Sequence, residues 1–503
     1  MLNRRDFIRS SAVAAGTLSF NPAFLRGAFA RQAMPGPSPY GDLGPPDANG
    51  LRLPSGFQSR LIGRGNLPVT GTGFAMPPFP DGSATYAQPD GGWILAVNSE
   101  HPLPGQGGAF AIRFEEDAQV ADAYRILSGT QTNCSGGETP WNTWLSCEEH
   151  DQGHTWDCDI FGQKDPVELP ALGTFSHEAA CVDPIGKRVY QTEDEGDSGF
   201  YRFTPANYPD LSSGLLEVAI VDANGLVTWA PVPDPSATSA PTRKQVPEMT
   251  QFKRGEGLFF EYPFAFITTT SDSRIHAYNV VTETMEVLWS GEIEGPSPAF
   301  DVDQLTRSDG GEIFVCEDEG LLRISLLSAD GRVIAPFLQL DGSQHTSSPE
   351  FGNEVTGVVF DPSGTRMYFS AQRSYGFGAL YEVTGPFRRD KTDMRQPTLR
   401  VEAPESARFR RLRKRGIPID VIVDEPSRVR ATLRVPGERP RRIARKRAKI
   451  AGGERTTLRL KARKKAAARL DGMEAANAEL VVRAIDGAGN RRRIVRSVAL
   501  SRR

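Results

Sequence analysis

Cysteine and histidine are scarce: five and six residues in a chain of 503. The dispersed histidines form no H-E-x-x-H pair, and no two cysteines have the C-x-x-C spacing of a zinc site. There is no G-x-S-x-G and no P-loop, so the commonest local signatures of serine hydrolases and nucleotide phosphohydrolases are missing. A Ser-His-Asp set assembled from distant segments stays open, but nothing in the sequence supports it. No apolar run approaches the roughly 20 residues needed to cross a bilayer, so no membrane span is expected. No long amphipathic helix stands out between residues 51 and 387 either.

What is present is short β-type runs separated by Gly, Asp, Asn and Pro. They repeat loosely. A strand ends on polar or acidic residues, a Gly-containing turn follows, and a second strand carries aromatic or branched residues. "GGWILAVNSE" then "GGAFAIRF" is one instance, and "GEIFVCEDEG" then "LLRISLL" is another. Six such strand ends occur, at Glu100, Glu149, Glu193 to Glu195, Thr268 to Thr270, Glu317-Asp318 and Gln372-Arg373. The expected fold is all-β: a six-bladed β-propeller over 51–387, in which equivalent strand ends gather around one channel mouth. A β-sandwich with the same strands would scatter them.

Charge divides the chain. Residues 401–503 hold 30 Lys/Arg against 11 Asp/Glu, a net of +19, and the rest carries a net of -22. Beyond Phe387, "RFRRLRKRG" and "RRIARKRAK" are basic clusters. "PIDVIVDE", "RVRATLRV", "TTLRLKA" and "AELVVRAIDGAGNRRRIVRSVAL" alternate apolar and polar residues at period two. Residues 388–503 therefore read as a basic immunoglobulin-like β-sandwich, with "KKAAARL" a short helix or turn. Its basic face is either a solvated surface or a grip on an anionic envelope polymer. No specific nucleic-acid partner is expected.

At the other end, Arg4-Arg5 precede an apolar stretch from Ala12 to Phe20, and Ala28-Phe29-Ala30 offers a small-x-small cleavage site. Residues 1–30 read as a twin-arginine signal peptide, which implies a periplasmic, cell-surface or secreted protein. Residues 31–50, rich in Pro and Gly, read as an irregular lead-in. In an exported chain five cysteines leave at least one outside any intramolecular disulfide. That one is either buried and inert or a metal thiolate. Which of Cys134, Cys147, Cys158, Cys181 and Cys316 it is stays open.

Carboxylates carry the chemical signal. Glu148-Glu149, Glu193-Asp194-Glu195 and Glu317-Asp318-Glu319 all end strands in apolar or Gly-rich surroundings. Brought together they repel one another, and burial raises the cost, so a cluster of them calls for cations. Oxygen-only sites suit calcium, and a thiolate among them favours a transition metal. Adjacent strand residues point to opposite faces, so one member of each pair should face the channel. His177-Glu178, Arg254 with Glu256, and Glu354 sit at the starts of other strands.

The segment "NCSGGETPWNTWLSCEEH", residues 133–150, resembles the signature of PhoX-type alkaline phosphatases. "NSEH", "SHEAACVDP", "FKRGEGLFF", "FVCEDEG" and "NEVTGVVFDPSGTRMYFSAQR" resemble the family's other landmarks, in order, over roughly residues 50–387. The resemblance implies an exported six-bladed propeller that cleaves phosphate monoesters using Ca2+ and Fe3+ at the channel mouth. It implies Cys134 as the iron thiolate. Glu149, Glu178, Glu256, Glu317 and Glu354 are the main carboxylate ligands, with Glu148, Glu193, Asp194 and Asp318 behind them. Arg254 and Arg373 are the groups expected to hold phosphoryl oxygens. "NSEH" departs from the family's Asn-His-Glu order, which leaves Glu100 outside the expected set. The chain is expected to act as a monomer on small phosphate esters. Two alternatives stand beside this reading: a calcium-dependent lactonase or esterase on the same architecture, and a non-catalytic, cation-stabilised envelope-binding protein.

Overall fold

The computed structural model describes residues 32–292, 297–346, 352–388, 399–423, 427–436, 441–450, 455–462, 466, 473–485 and 491–502. The signal peptide expected over residues 1–30 lies outside them, as does nearly all of "KKAAARL". The chain divides into two compact units, Met1–Arg389 and Asp390–Arg503. Both are built mostly of antiparallel β-structure, with one short parallel pairing in each, Met34–Pro35 on Val333–Leu340 and Ser406–Arg408 on Arg491–Ser501, and little helix.

The first unit contains six small sheets. Their opening strands are Pro80–Ala87, Asn133–Glu138, His177–Asp183, Gly255–Glu261, Val302–Arg307 and Val355–Phe360. From each, the chain moves outward strand by strand through short turns. Each opening strand touches that of the next sheet, and Val355–Phe360 touches Pro80–Ala87. The sixth sheet takes its fourth strand, Gln58–Arg64, from the start of the unit.

Apolar cores lie between consecutive sheets. Leu145 and Cys147 of the second sheet pack with Ala180 and Val182 of the third. Phe314 and Cys316 of the fifth pack with Phe369 and Tyr381 of the sixth. With both faces covered, a strand such as Trp93–Ser99 is buried at every position and shows no inside-outside alternation. This arrangement also fixes the cysteines. Cys147, Cys158, Cys181 and Cys316 each fill a different inter-sheet core, and all five cysteines are free thiols.

The stretch 31–50, expected to be irregular, contributes two short strands to the fifth sheet. Met34–Pro35 and Leu43–Pro46 lie along its rim. Proline is tolerated there because an edge strand leaves N–H positions unused.

The second unit has a three-stranded sheet of Leu399–Glu402, Ile417–Val423 and Thr456–Leu460. A five-stranded sheet comprises Ser406–Arg408, Arg491–Ser501, Ala475–Ile485, Ser427–Val435 and Arg441–Ile450. One core joins them, and here the period-two pattern is plain: Ile417, Ile419, Val421 and Val423 are all buried. Two basic clusters have definite structure. "RFRRLRK" contains a short helix, Phe409–Lys414, which buries Phe409 and Leu412. "RRIARKRAK" lies in strand Arg441–Ile450, where Ile443, Ala444 and Ile450 face the core. The described helices include none long and apolar enough to cross a membrane.

Candidate metal centre

Each opening strand begins in register with its neighbour and then slips. Pro80 pairs with Ser99 and the next pair is Ser83 with Val97, so one strand advances three residues while the other advances two. The same slip follows Asn133–Glu148, His177–Glu193, Gly255–Thr269 and Val302–Glu317. The first residue inside the slip is Asp81, Cys134, Glu178, Glu256 and Asp303 in turn. In the sixth sheet the slip follows Thr356–Ser370 and begins at Gly357, whose φ is +62°. A bulge breaks strict alternation and re-aims the side chain it holds. Five sheets thus offer a metal-ligating group at one structural position. The glycines of "NCSGG" serve the same close packing: a Cβ on Gly137 would collide with the Ala180 carbonyl oxygen of the next sheet.

A second set of equivalent positions follows the neighbouring strands. The backbone N–H groups of Glu100, Glu149, Asp194, Thr270, Asp318 and Gln372 donate to the carbonyls of Phe79, Thr132, Ser176, Arg254, Asp301 and Glu354. These are the strand ends whose recurrence is visible in the sequence.

The two sets converge. Asp81, Glu100 and Cys134 form one group whose ligand atoms lie within 4.8 Å of one another; Cys134, Glu149 and Glu178 form a second; Glu178, Glu256 and Asp303 form a third. Cys134 and Glu178 are each shared by two groups. Burial pushes Asp81 up to about 6, against hydrogen bonds from Gln372, Thr356 and the Gly82 N–H that pull it down. Burial and then the charge of Asp81 push Glu100 up to about 8. Burial and then the charges of neighbouring carboxylates hold Glu149, Glu178, Glu256 and Asp303 well above the ordinary carboxylate range. Burial, followed by the charges of Asp81 and Glu178, holds the Cys134 thiol protonated.

Neutral partners orient the acids without neutralising them. Gln304 Nε2 donates to Glu178 Oε1 at 2.9 Å, and Thr270 Oγ1 lies 3.1 Å from Glu256 Oε1. Gln372 donates to both Asp81 and Glu100. Glu178 Oε2 is buried with no hydrogen-bond partner. An orphaned carboxylate oxygen among repelling acids is what a cation would satisfy. The donor sets fit: oxygen alone in Glu178, Glu256 and Asp303 for a hard ion, oxygen with sulfur around Cys134 for a transition metal.

The other expected ligands lie differently. Glu148 accepts from Trp156 Nε1 at 2.9 Å and from the Gln131 N–H at 3.1 Å. Burial opposes its charge, but hydrogen bonds from His150, Trp156 and Gln131 hold its carboxyl below the usual range. Glu193 accepts from Tyr201 Oη at 2.6 Å and pairs with Arg243 at 3.0 Å. Glu317 is gripped by Arg323 at 2.6 Å. All three belong to the last regular pair before a slip, on the side where protein groups satisfy them. Arg323→Ala should therefore strand a buried carboxylate and cost about 3–5 kcal/mol in denaturant unfolding. The bound-cation content should not change.

Asp194, Asp318 and Glu354 stand at the margin with both arginines. Arg254 makes a two-point contact with Asp194, Nε–Oδ1 2.9 Å and Nη2–Oδ2 3.0 Å, and reaches Glu256 at 3.1 Å and Asp318 at 3.4 Å. Arg373 lies more loosely, 3.7 Å from Glu354 and 3.8 Å from Glu100. His177 is packed flat on Phe175 at 3.6 Å, and burial pushes its pKa down to about 3.

Asp81 and Asp303 were not among the expected ligands, nor was Glu100. Asp81 follows a proline and Asp303 precedes a glutamine, so neither belongs to an acidic run; only their place in the repeat marks them.

Residues 97–164 and 157–285 match the family described as "Alkaline phosphatase PhoX". Over this central stretch the chain is similar to the PhoX-type family. The matched part contains Glu100, Cys134, Glu149, Glu178 and Glu256. No curated protein matches it. Among solved structures it is similar to a protein of unknown function from Bacteroides thetaiotaomicron VPI-5482, at 10% identity and TM-score 0.41, covering 65% of this chain and 76% of that one. A 6-phosphogluconolactonase candidate from Bacteroides uniformis ATCC 8492 aligns at 14% identity and TM-score 0.36, over 59% and 79% of the two chains. At such low scores neither a shared fold nor a shared activity follows.

Proposed function

We propose that this protein is an exported phosphatase that hydrolyses phosphate monoesters at a calcium and iron cluster, in the channel mouth of a six-bladed β-propeller. The observation that carries the reading is the convergence of five bulge residues, one of them a cysteine, with Glu100 and Glu149. The family match supplies the reaction class. The ring of contacts between opening strands, and the N-terminal strand completing the sixth sheet, support the propeller. The double-arginine start supports export, and the two-sheet core of the second unit supports a sandwich.

Bound cations would supply positive charge to neutralise phosphoryl oxygens and favour nucleophilic attack on phosphorus. The chain's own residues prepare the site. Cys134, Glu149, Glu178, Glu256 and Asp303 hold the ions, with Asp81 and Glu100 completing the thiol-containing side. Gln304 and Gln372 fix carboxylate orientation through N–H donation, adding no charge. Arg254 is spent on Asp194, Glu256 and Asp318 and offsets their repulsion. Arg373, with no contact to a carboxylate below 3.7 Å, is free to turn onto a phosphoryl oxygen.

The intact chain should contain calcium and iron by elemental analysis and release phosphate from simple monoesters. Absence of both metals, or turnover of a lactone with no phosphate release, would overturn the proposal. Arg373→Ala should raise KM about tenfold or more, the scale of one charged hydrogen bond, while metal content stays constant. Steady-state kinetics paired with elemental analysis checks this.

A further inference from the structure

The five-stranded sheet of the second unit keeps one face on its core, through Val429, Ala431 and Leu433 on one strand and Leu480, Val482 and Ala484 on the next. The intervening residues face outward. The register sets Arg447 opposite Arg430, Arg430 opposite Arg483, and Arg483 opposite Arg493. All four arginines are exposed. With strands about 4.8 Å apart, the row spans roughly 14 Å. Arg428 and Lys449, also opposite each other and exposed, begin a parallel row two residues along.

Like charges directly opposite one another weaken a sheet. Among the described residues the one acid on this face is Glu479, and it is engaged by Arg434 at 2.8 Å. The four aligned arginines therefore have a line of positive charge to offer. Guanidinium forks match phosphate oxygens in pairs. The outward positions of these strands carry no aromatic ring on which bases could stack.

We propose that the row Arg447, Arg430, Arg483 and Arg493 binds a linear polymer with a phosphate in each repeat, laid across the strands. The polymer's spaced negative charges compensate the like-charge row. This surface is independent of the cation cluster and requires no catalysis.

The test uses the full chain stripped of cations, so that the acidic cluster cannot hold phosphate. Inorganic polyphosphate is the probe, followed by calorimetry at several salt concentrations. The wild type should bind it far more tightly than orthophosphate, with affinity falling as salt rises. Arg430→Glu with Arg483→Glu should weaken binding about 100-fold, one factor of ten for each lost contact. Arg430→Lys with Arg483→Lys keeps the charge and removes the fork, and should fall between the two. Thermal melting of each variant verifies that the exposed substitutions leave the fold intact. No polyphosphate binding by the wild type, or equal affinity in the Glu variant, would overturn the proposal. So would duplex DNA or anionic lipid vesicles binding as tightly as polyphosphate.

Discussion

Glu178→Gln is expected to lower bound-cation content sharply and to reduce phosphate-ester hydrolysis at least ~100-fold, the scale of several kcal/mol of lost charge stabilisation. Glu178 belongs to two of the three ligand groups, so its replacement weakens both at once. The same variant should respond to chelation in the opposite sense. In the stripped wild type a buried carboxyl with an unpartnered oxygen sits among others. The neutral amide keeps its shape and removes that repulsion. Glu178→Gln should therefore melt above the wild type by a few degrees in chelator, corresponding to about 1–2 kcal/mol, and below it in excess calcium. Crossing of the two melting curves distinguishes a ligand from a residue that merely packs.

The stripped protein should also lose stability as pH rises. Burial raises the folded carboxyl of Asp81 from 3.8 to about 6, and burial with the charge of Asp81 raises Glu100 from 4.5 to about 8. Between the unfolded and the folded values the native state holds protons that the unfolded chain has released. Raising pH through that window, from about 4 to about 8, therefore drains stability rather than adding it. A tenfold difference in proton affinity between the folded and unfolded chain corresponds to about 1.4 kcal/mol, so the loss should amount to a few kcal/mol. Saturating cations should remove the slope, since bound ions favour the charged acids. Denaturant unfolding at pH 5, 6, 7 and 8, with and without cations, measures it. A stripped protein whose stability stays flat or rises across this range would show that these acids are not packed together.

Much of this site is legible in the amino-acid order alone. The acidic strand ends at Glu100, Glu149, Asp194 and Asp318 recur because each closes the same second strand, and "NCSGG" marks a place with no room for side chains. Direction is what cannot be read there. Glu148 and Glu149 are neighbours of identical chemistry, and their separate environments depend on Trp156 and the Gln131 N–H, which reach Glu148 through strand pairing. Asp81 and Asp303 were hidden because a bulge, unlike alternation, leaves no periodic trace. In the second unit the strand Arg441–Ile450 was masked by its own charge: arginine and lysine between Ile443 and Ile450 look like a cluster when counted and like a strand only when paired. Covered faces concealed the rest, since a strand buried on both sides reads as a plain apolar run.

The seam between the sixth and first sheets has a consequence for biosynthesis. Asp81 emerges from the ribosome early, yet its polar partners, Thr356 and Gln372, are made nearly three hundred residues later. Gln58–Arg64, made earlier still, waits for Ala379–Thr384 before it has a strand to pair with. A nascent chain carrying four sheets already displays Cys134, Glu149, Glu178 and Glu256, but lacks Asp303 and the two groups that steady Asp81. Ions captured at that stage would meet an incomplete set. Loading of the finished cradle thus waits for the sixth sheet, whose closing strand ends at Thr384, and the last sheet made sets when metal can be held in full.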